Sequence, residues 1–218
     1  MRVLVTGATG YIGGRIVERL LLKGLNVRVL VRDPKKAQAR PWADRVEVVQ
    51  GDLSEPAGLE RALQDVDIAY YLVHSMDAGA GFAERDRAAA RAFAEAGREL
   101  RHVIYLGGIL PAPHLADVKS DHLRSRAEVG EILRSALPTT EFRAGPIIGS
   151  GSASFEMVRY LTERLPAMVA PRWILNRVQP IAVRDMLDYL VDALDREDAL
   201  GVIDVGCEPV TFLSLIHI

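Results

Sequence analysis

The sequence predicts an α/β fold built on a doubly wound parallel β-sheet, with a small C-terminal lobe on the substrate side. Three observations predict it: Val-, Ile- and Leu-rich runs without a polar alternate face, helical apolar spacing between them, and a glycine triplet where the first run enters the first helix. The runs fall at 3–6, 27–31, 46–50, 68–73, 103–106 and 140–143. They read as six strands covered on both faces. Between the first two, residues 12–23 set Ile12, Ile16 and Leu20 on one stripe, and Gly24 stands where such a helix stops. Further helices are expected over 56–63, 81–99, 120–135, 154–164 and 183–196, and right-handed crossovers through these helices wind the sheet.

Beyond Gly145 the alternation weakens, and "GPIIGSGSASFE" and "LPAMVAPRW" concentrate turn residues. Residues 1–145 therefore read as the sheet core and 146–218 as a smaller lobe within one structural unit, adding short strands at 178–182 and 202–205. The final "VTFLSLIHI" shows neither helix nor cap, which gives the expectation that the chain continues in a longer protein.

Composition narrows the function classes. A length of 218 residues with 49% hydrophobic content suits one sizeable core. With 27 basic against 29 acidic residues and a net charge of −2, the chain lacks the positive field that nucleic-acid binding uses. One cysteine, Cys207, and an N-terminus that enters a strand directly point to a reducing, cytoplasmic setting. No apolar run approaches the roughly 20 residues of a membrane span. The five histidines and the cysteine show no metal-ligand spacing, so no metal is expected.

The most specific local signal is "VLVTGATGYIGG", with Gly7, Gly10 and Gly13 between strand and helix. Gly7 allows the tight turn, Gly10 lets the main chain approach a diphosphate, and Gly13 lets the helix pack on the strand. The amides along Thr9, Tyr11 and Ile12, with the positive end of the helix dipole, then suit a pyrophosphate. This is the dinucleotide fingerprint of a Rossmann domain, because strand, turn, helix and second strand follow at the required separations.

At the end of the second strand, where NAD-preferring domains present an acid to the ribose, the sequence has Val31 followed by Arg32. A guanidinium there suits a 2′-phosphate, with Lys35 and Lys36 adding charge, so NADP(H) is expected ahead of NAD(H). The alternative is that Arg32 is a solvated surface residue and Asp33 takes the ribose hydroxyls. Asp52 and Leu53, after the third strand, are placed to border the adenine, though Asp52 equally suits a turn or helix cap.

"TGATGYIGG", "LVRDP", "GDL" and "YYLVHSM", in this order, resemble atypical short-chain dehydrogenase/reductases of the NmrA-like and extended-epimerase-like kind. "YYLVHSM" and "HLRSRAEVGE" are similar to bacterial NAD(P)H-binding proteins related to the nucleotide-binding accessory subunit of respiratory complex I. The resemblance implies an NAD(P)-binding oxidoreductase, places Val73, His74 and Ser75 beside the nicotinamide ribose, and makes "FRAGPIIGSGS" a substrate-side loop. It also implies homodimerisation through the helices at 81–99 and 120–135.

Active members of the wider family carry a serine after the fifth strand and a Tyr-x-x-x-Lys pair on the next helix, and this sequence departs at all three places. Gly107 and Gly108 replace the serine, while His122 and Arg126 hold the register of the tyrosine and lysine. A histidine can move a proton near neutral pH and an arginine can bind ribose or phosphate, so His122 and Arg126 are the candidate catalytic residues. Equally, His122 could be a partly exposed helix residue, with Arg126 holding cofactor or pairing with Glu128 or Asp121. Tyr70, Tyr71 and Tyr105 read as core. Arg143 and Arg172–Trp173 are candidates to line a pocket beyond the strands' carboxyl ends. Two functions follow: an NADP(H)-dependent oxidoreductase on a small carbonyl, alcohol or sugar-like substrate, or a catalytically silent dinucleotide-binding sensor or assembly subunit.

Overall fold

The computed structural model describes residues 1–74, 81–111, 117–164, 172–196 and 198–216. Its main sheet is formed by β1 (Arg2–Thr6), β2 (Asn26–Val31), β3 (Glu47–Gln50), β4 (Ile68–Tyr71), β5 (His102–Gly108), β6 (Thr139–Ala144) and β10 (Gly201–Val205). The order is β10-β6-β5-β4-β1-β2-β3, and each neighbouring pair is parallel. Both faces are covered, which is why the central strands carry apolar residues on both faces. Val3, Val5, Val29 and Ile104 pack under α1 (Tyr11–Leu22) and α7 (Val183–Asp192). Leu4, Ala69, Tyr71 and Val103 pack under α3 (Pro56–Leu63), α4 (Phe82–Ala96) and α5 (Asp121–Ala136).

The chain runs from β1 outward to β2 and β3, then crosses to β4 on the other side of β1. Strand order therefore reverses between β1 and β4, where the diverging connections leave a crevice at the carboxyl ends. Thr6 pins that point. Its buried hydroxyl donates to the Tyr70 carbonyl at 3.0 Å and accepts the Leu72 amide at 3.2 Å.

Three differences from the sequence reading have local causes. Beyond Gly145 the chain adds a seventh strand to the main sheet, because β10 pairs with the open edge of β6, from Gly201 on Thr140 to Val205 on Ala144. The strand expected over 178–182 is two strands, β8 (Arg177–Val178) and β9 (Ile181–Ala182), in separate small sheets with β11 (Val210–Thr211) and β7 (Ile147–Ile148). Pro180 lies between them and has no amide to donate to a ladder. The stretch after Val210 does form a helix, α8 (Phe212–Ile216), entered through Thr211, whose hydroxyl accepts the Ser214 amide at 3.2 Å. The described residues also include the helices α2 (Pro34–Gln38), which the sequence reading omitted, and α6 (Ala153–Arg164). Among the described residues no helix is long and apolar enough to cross a membrane.

Candidate functional site

The turn after β1 is set by Gly7, whose φ of +71° is costly for any side-chain-bearing residue, and whose Cα side faces the Leu72 carbonyl. The Gly10 amide closes the turn on the Gly7 carbonyl at 2.9 Å. Helix α1 then starts with Gly10 as its N-cap, without a capping side chain and with no acidic residue in the first turn. Its first-turn amides, along Tyr11, Ile12 and Gly13, thus have no partner inside the helix and no side chain to satisfy them. A Cβ on Gly13 would stand 2.1 Å from the Gly7 carbonyl oxygen and 2.9 Å from the Ala8 Cα. The helix end and the turn are in direct backbone contact, leaving a bare cradle of donors with a positive dipole, which fits a diphosphate.

Arg32 follows β2 with its side chain 85% exposed, its Nε 4.0 Å from the Asp52 carboxylate. Asp33, the alternative for the ribose hydroxyls, caps α2 by accepting the Lys35 amide at 3.0 Å. Asp52 accepts both the Ser54 amide, at 2.9 Å, and its hydroxyl, at 2.7 Å, so the turn role is present together with the charge facing Arg32. Burial pushes the Asp52 carboxyl up, but the Ser54 bonds and Arg32 outweigh it and hold the group below its ordinary value. Leu53 is buried against Leu30 and Leu59. Lys35 and Lys36 are exposed on α2.

One arginine that the sequence reading missed stands in this region. Arg40, past the end of α2, donates to the Thr9 carbonyl in the glycine turn. Its side chain is exposed, so this region carries two exposed guanidinium groups, Arg40 on the glycine turn and Arg32 at the end of β2 facing Asp52. The only local signal was the basic density of "RDPKKAQAR".

At the adjoining end of β4, Val73 and His74 are exposed; Ser75 lies outside the described residues. His74 meets His122, the second residue of α5, with ring centres 5.8 Å apart. Helix α5 begins here because Ser120 caps it, accepting the Leu123 amide at 3.3 Å. Arg126, one turn on, donates to the Leu106 carbonyl, while Tyr105 donates to the Arg126 carbonyl at 2.8 Å. His122 and Arg126 thus stand together beside the end of β5, and burial, reinforced by the Arg126 charge, lowers the His122 imidazole below its ordinary value against the opposing pull of Asp86. The glycines that replace a serine there have steric reasons: a Cβ on Gly107 would come 2.9 Å from the Glu141 carboxylate, and one on Gly108 2.8 Å from the Leu123 side chain.

Arg143 does not stand free in a pocket. Its Nε is 2.8 Å from the carboxylate of Glu141, whose side chain is 1% exposed and also meets Arg134. Burial is bearable for this carboxylate because two cations face it. Gly130 on α5 makes the space, since a Cβ there would be 2.3 Å from Glu141 Oε2. The side chains of Arg172 and Trp173 lie outside the described residues. Tyr70 and Tyr105 are buried and donate to the Leu190 and Arg126 carbonyls, the structural role expected of them.

The loop at 149–152 folds over the phosphate cradle. Arg15 donates to the Tyr11 and Ser150 carbonyls, both at 3.1 Å, and lies 3.9 Å over the Tyr11 ring. Ser152 caps α6, accepting the Phe155 amide at 3.0 Å. Among the described residues no three potential ligands gather for a metal.

A glycine turn on β1, a strand reversal at β4 and a polar helix start beside β5 define a Rossmann protein of the short-chain dehydrogenase/reductase type. Residues 1–152 match the NmrA-like family, and the chain belongs to it. It is 32% identical over 212 residues to the ceramide reductase of Caulobacter vibrioides, covering 94% of this chain and 64% of that protein. It is 26% identical over 221 residues to the chloroplastic divinyl chlorophyllide a 8-vinyl-reductase of Cucumis sativus, covering 94% and 52%. The chain therefore spans less than two thirds of either relative. In fold it is similar to the Thermus thermophilus UDP-glucose 4-epimerase in complex with NAD, with a TM-score of 0.76, 24% identity, and 100% and 81% of the two chains covered. It is likewise similar to a DesIV double mutant, the dTDP-glucose 4,6-dehydratase of Streptomyces venezuelae with NAD bound, with a TM-score of 0.79, 19% identity, and 99% and 79% covered.

Proposed function

We propose that this chain is the coenzyme-binding body of an NADP(H)-dependent oxidoreductase acting on a small carbonyl, alcohol or sugar-like substrate. The observation that carries it is the pairing of a bare phosphate cradle at Gly7–Gly13 with two guanidinium groups, Arg32 and Arg40, where an acid would select NAD. The reductases among its relatives support the reading.

The backbone amides at the start of α1 hold the diphosphate, and Arg32 and Arg40 supply donors and charge for a 2′-phosphate. Bound nicotinamide supplies or accepts the hydride. His122 moves the proton at the substrate oxygen, and Arg126, anchored on the Leu106 carbonyl, fixes charge beside it. Because burial and Arg126 hold the His122 imidazole below its ordinary value, its neutral form, which takes a proton from an alcohol, is favoured; carbonyl reduction, which needs the imidazolium, speeds up as pH falls.

Incubating the protein with NADPH and a carbonyl panel while following NADPH absorbance tests this. Turnover that falls about 100-fold or more in His122→Ala supports the assignment, since a positioned proton donor contributes at least that much. A second reading, a silent dinucleotide sensor, is favoured by the glycines and the His122–Arg126 pair in place of serine, tyrosine and lysine. Saturable NADPH binding with no turnover on any substrate selects it.

A further inference from the structure

His74 and His122 come from segments far apart in sequence. The sheet order brings them together: β4 and β5 are neighbours, His74 lies just past β4, and His122 opens the helix that rises from the end of β5. Their ring centres are 5.8 Å apart with planes inclined by 59°. That lies within the range of about 4.5–7 Å for interacting ring pairs; it keeps the ring nitrogens at least about 3.5 Å apart, too far for a direct hydrogen bond and a span that one water bridges. The rings differ in surroundings. His74 is open to solvent, whereas His122 is half-buried on α5.

Resting on the reading that His122 moves the substrate proton, we propose that His74 is its positioning partner, the two imidazoles forming a proton-sharing pair that connects the half-buried His122 to solvent. In alcohol oxidation the C–H bond breaks with its electron pair leaving as hydride to the nicotinamide, and the O–H proton goes to the free nitrogen of His122. His122 passes the proton on its other nitrogen through one bridging water to His74, and His74 releases one to bulk water. One proton leaves per hydride transferred, and reduction runs the same path backward. A half-buried acid–base group between a substrate and the protein wall needs such an outlet.

The charged groups facing His122 set which ring holds the proton. Arg126 lies one turn along the same helix. From α4 comes Asp86, 8% exposed, which accepts the Ser125 hydroxyl at 3.1 Å and so lies against the same face of α5. From the end of β4 comes His74. Burial and Arg126 oppose a charge on His122, and Asp86 favours one more weakly, so a proton taken up by His122 is readily passed on. A second proton would place like charges in adjacent rings.

The test is an NMR titration of the imidazole resonances in the coenzyme-free full chain, in three forms: unmodified, His74→Ala and His122→Ala. Sharing requires opposite shifts of about one unit, the coupling expected of a strongly interacting pair. In His74→Ala the His122 step rises because the like charge is gone; in His122→Ala the His74 step falls because its acceptor is gone. Unchanged titrations overturn the proposal, and so does a rise in both, which is repulsion without sharing. Calorimetry with NADPH on the same samples separates this result from failure of the coenzyme reading. With any substrate that turns over, His74→Ala should lower kcat with KM unchanged, and added imidazole should restore it; loss in KM alone, or no rescue, contradicts the pair.

Discussion

Gly13→Ala and Gly14→Ala, adjacent in α1, should have opposite effects. The Gly13 methyl would have to occupy space 2.1 Å from the Gly7 carbonyl oxygen, 2.7 Å from its carbon and 2.9 Å from the Ala8 Cα, all main-chain atoms that no rotamer change can move. Overpacking of this kind costs about 3 kcal/mol, the upper end of its usual range. In a chain of this size that lowers Tm by about 6–12 °C. The Gly14 methyl would find Ala8 O at 3.4 Å and Trp42 Nε1 at 3.9 Å, ordinary contacts, and would gain about 0.5–1 kcal/mol from replacing glycine in a helix. Relief at Gly13 must come from parting helix and turn, which misaligns the cradle. Losing one charge-assisted hydrogen bond of about 1.5–3 kcal/mol weakens NADPH binding about 10-fold or more. Urea unfolding and calorimetry with NADPH, run on both variants, provide the readout. Gly13→Ala with undiminished stability and affinity would refute the contact between helix end and turn.

Other substitutions probe the remaining links. Arg32→Ala and Arg40→Ala should each lower affinity for NADPH about 10-fold, the value of one charge-assisted contact, while leaving NADH affinity unchanged; competition binding with both coenzymes checks this. Glu141→Ala should destabilise by about 3 kcal/mol, because it leaves Arg134 and Arg143 facing one another without their carboxylate, and urea midpoints compared with the unmodified chain measure it. Burial also depresses His102, which shares a 2.8 Å hydrogen bond with Thr140. The unfolded chain, with its histidines near 6.5, binds protons that folded His102 and His122 refuse, so stability is intact above pH 6.5 and declines as pH falls below it. Thermal unfolding from pH 7.5 down to 5.5 should show that decline, and His102→Asn should flatten it.

The sheet and the phosphate turn were legible because both are written locally. Strands 3–6 and 27–31 announce burial on two faces through runs rich in Val and Leu, and Gly7, Gly10 and Gly13 each answer a backbone demand within a few residues. What depends on distant packing was not legible. Arg40 reaches Thr9 only because α2 turns the chain back over the glycine turn, and nothing in "KAQAR" encodes that direction. Glu141 reads as a flaw in an apolar strand until Gly130 and Arg134 arrive from α5 to make room and charge for it. His74 and His122 could each be named from local context, but their contact follows from strand order, which places β4 beside β5. The break at Pro180 is written in the sequence, because a residue without an amide interrupts the strand between β8 and β9.

Isothermal titration of the unmodified protein with NADPH and, separately, NADH puts the central idea to its most direct trial. A saturable one-to-one complex that is tighter with NADPH is the predicted outcome. Absence of saturable heat with both coenzymes would contradict it.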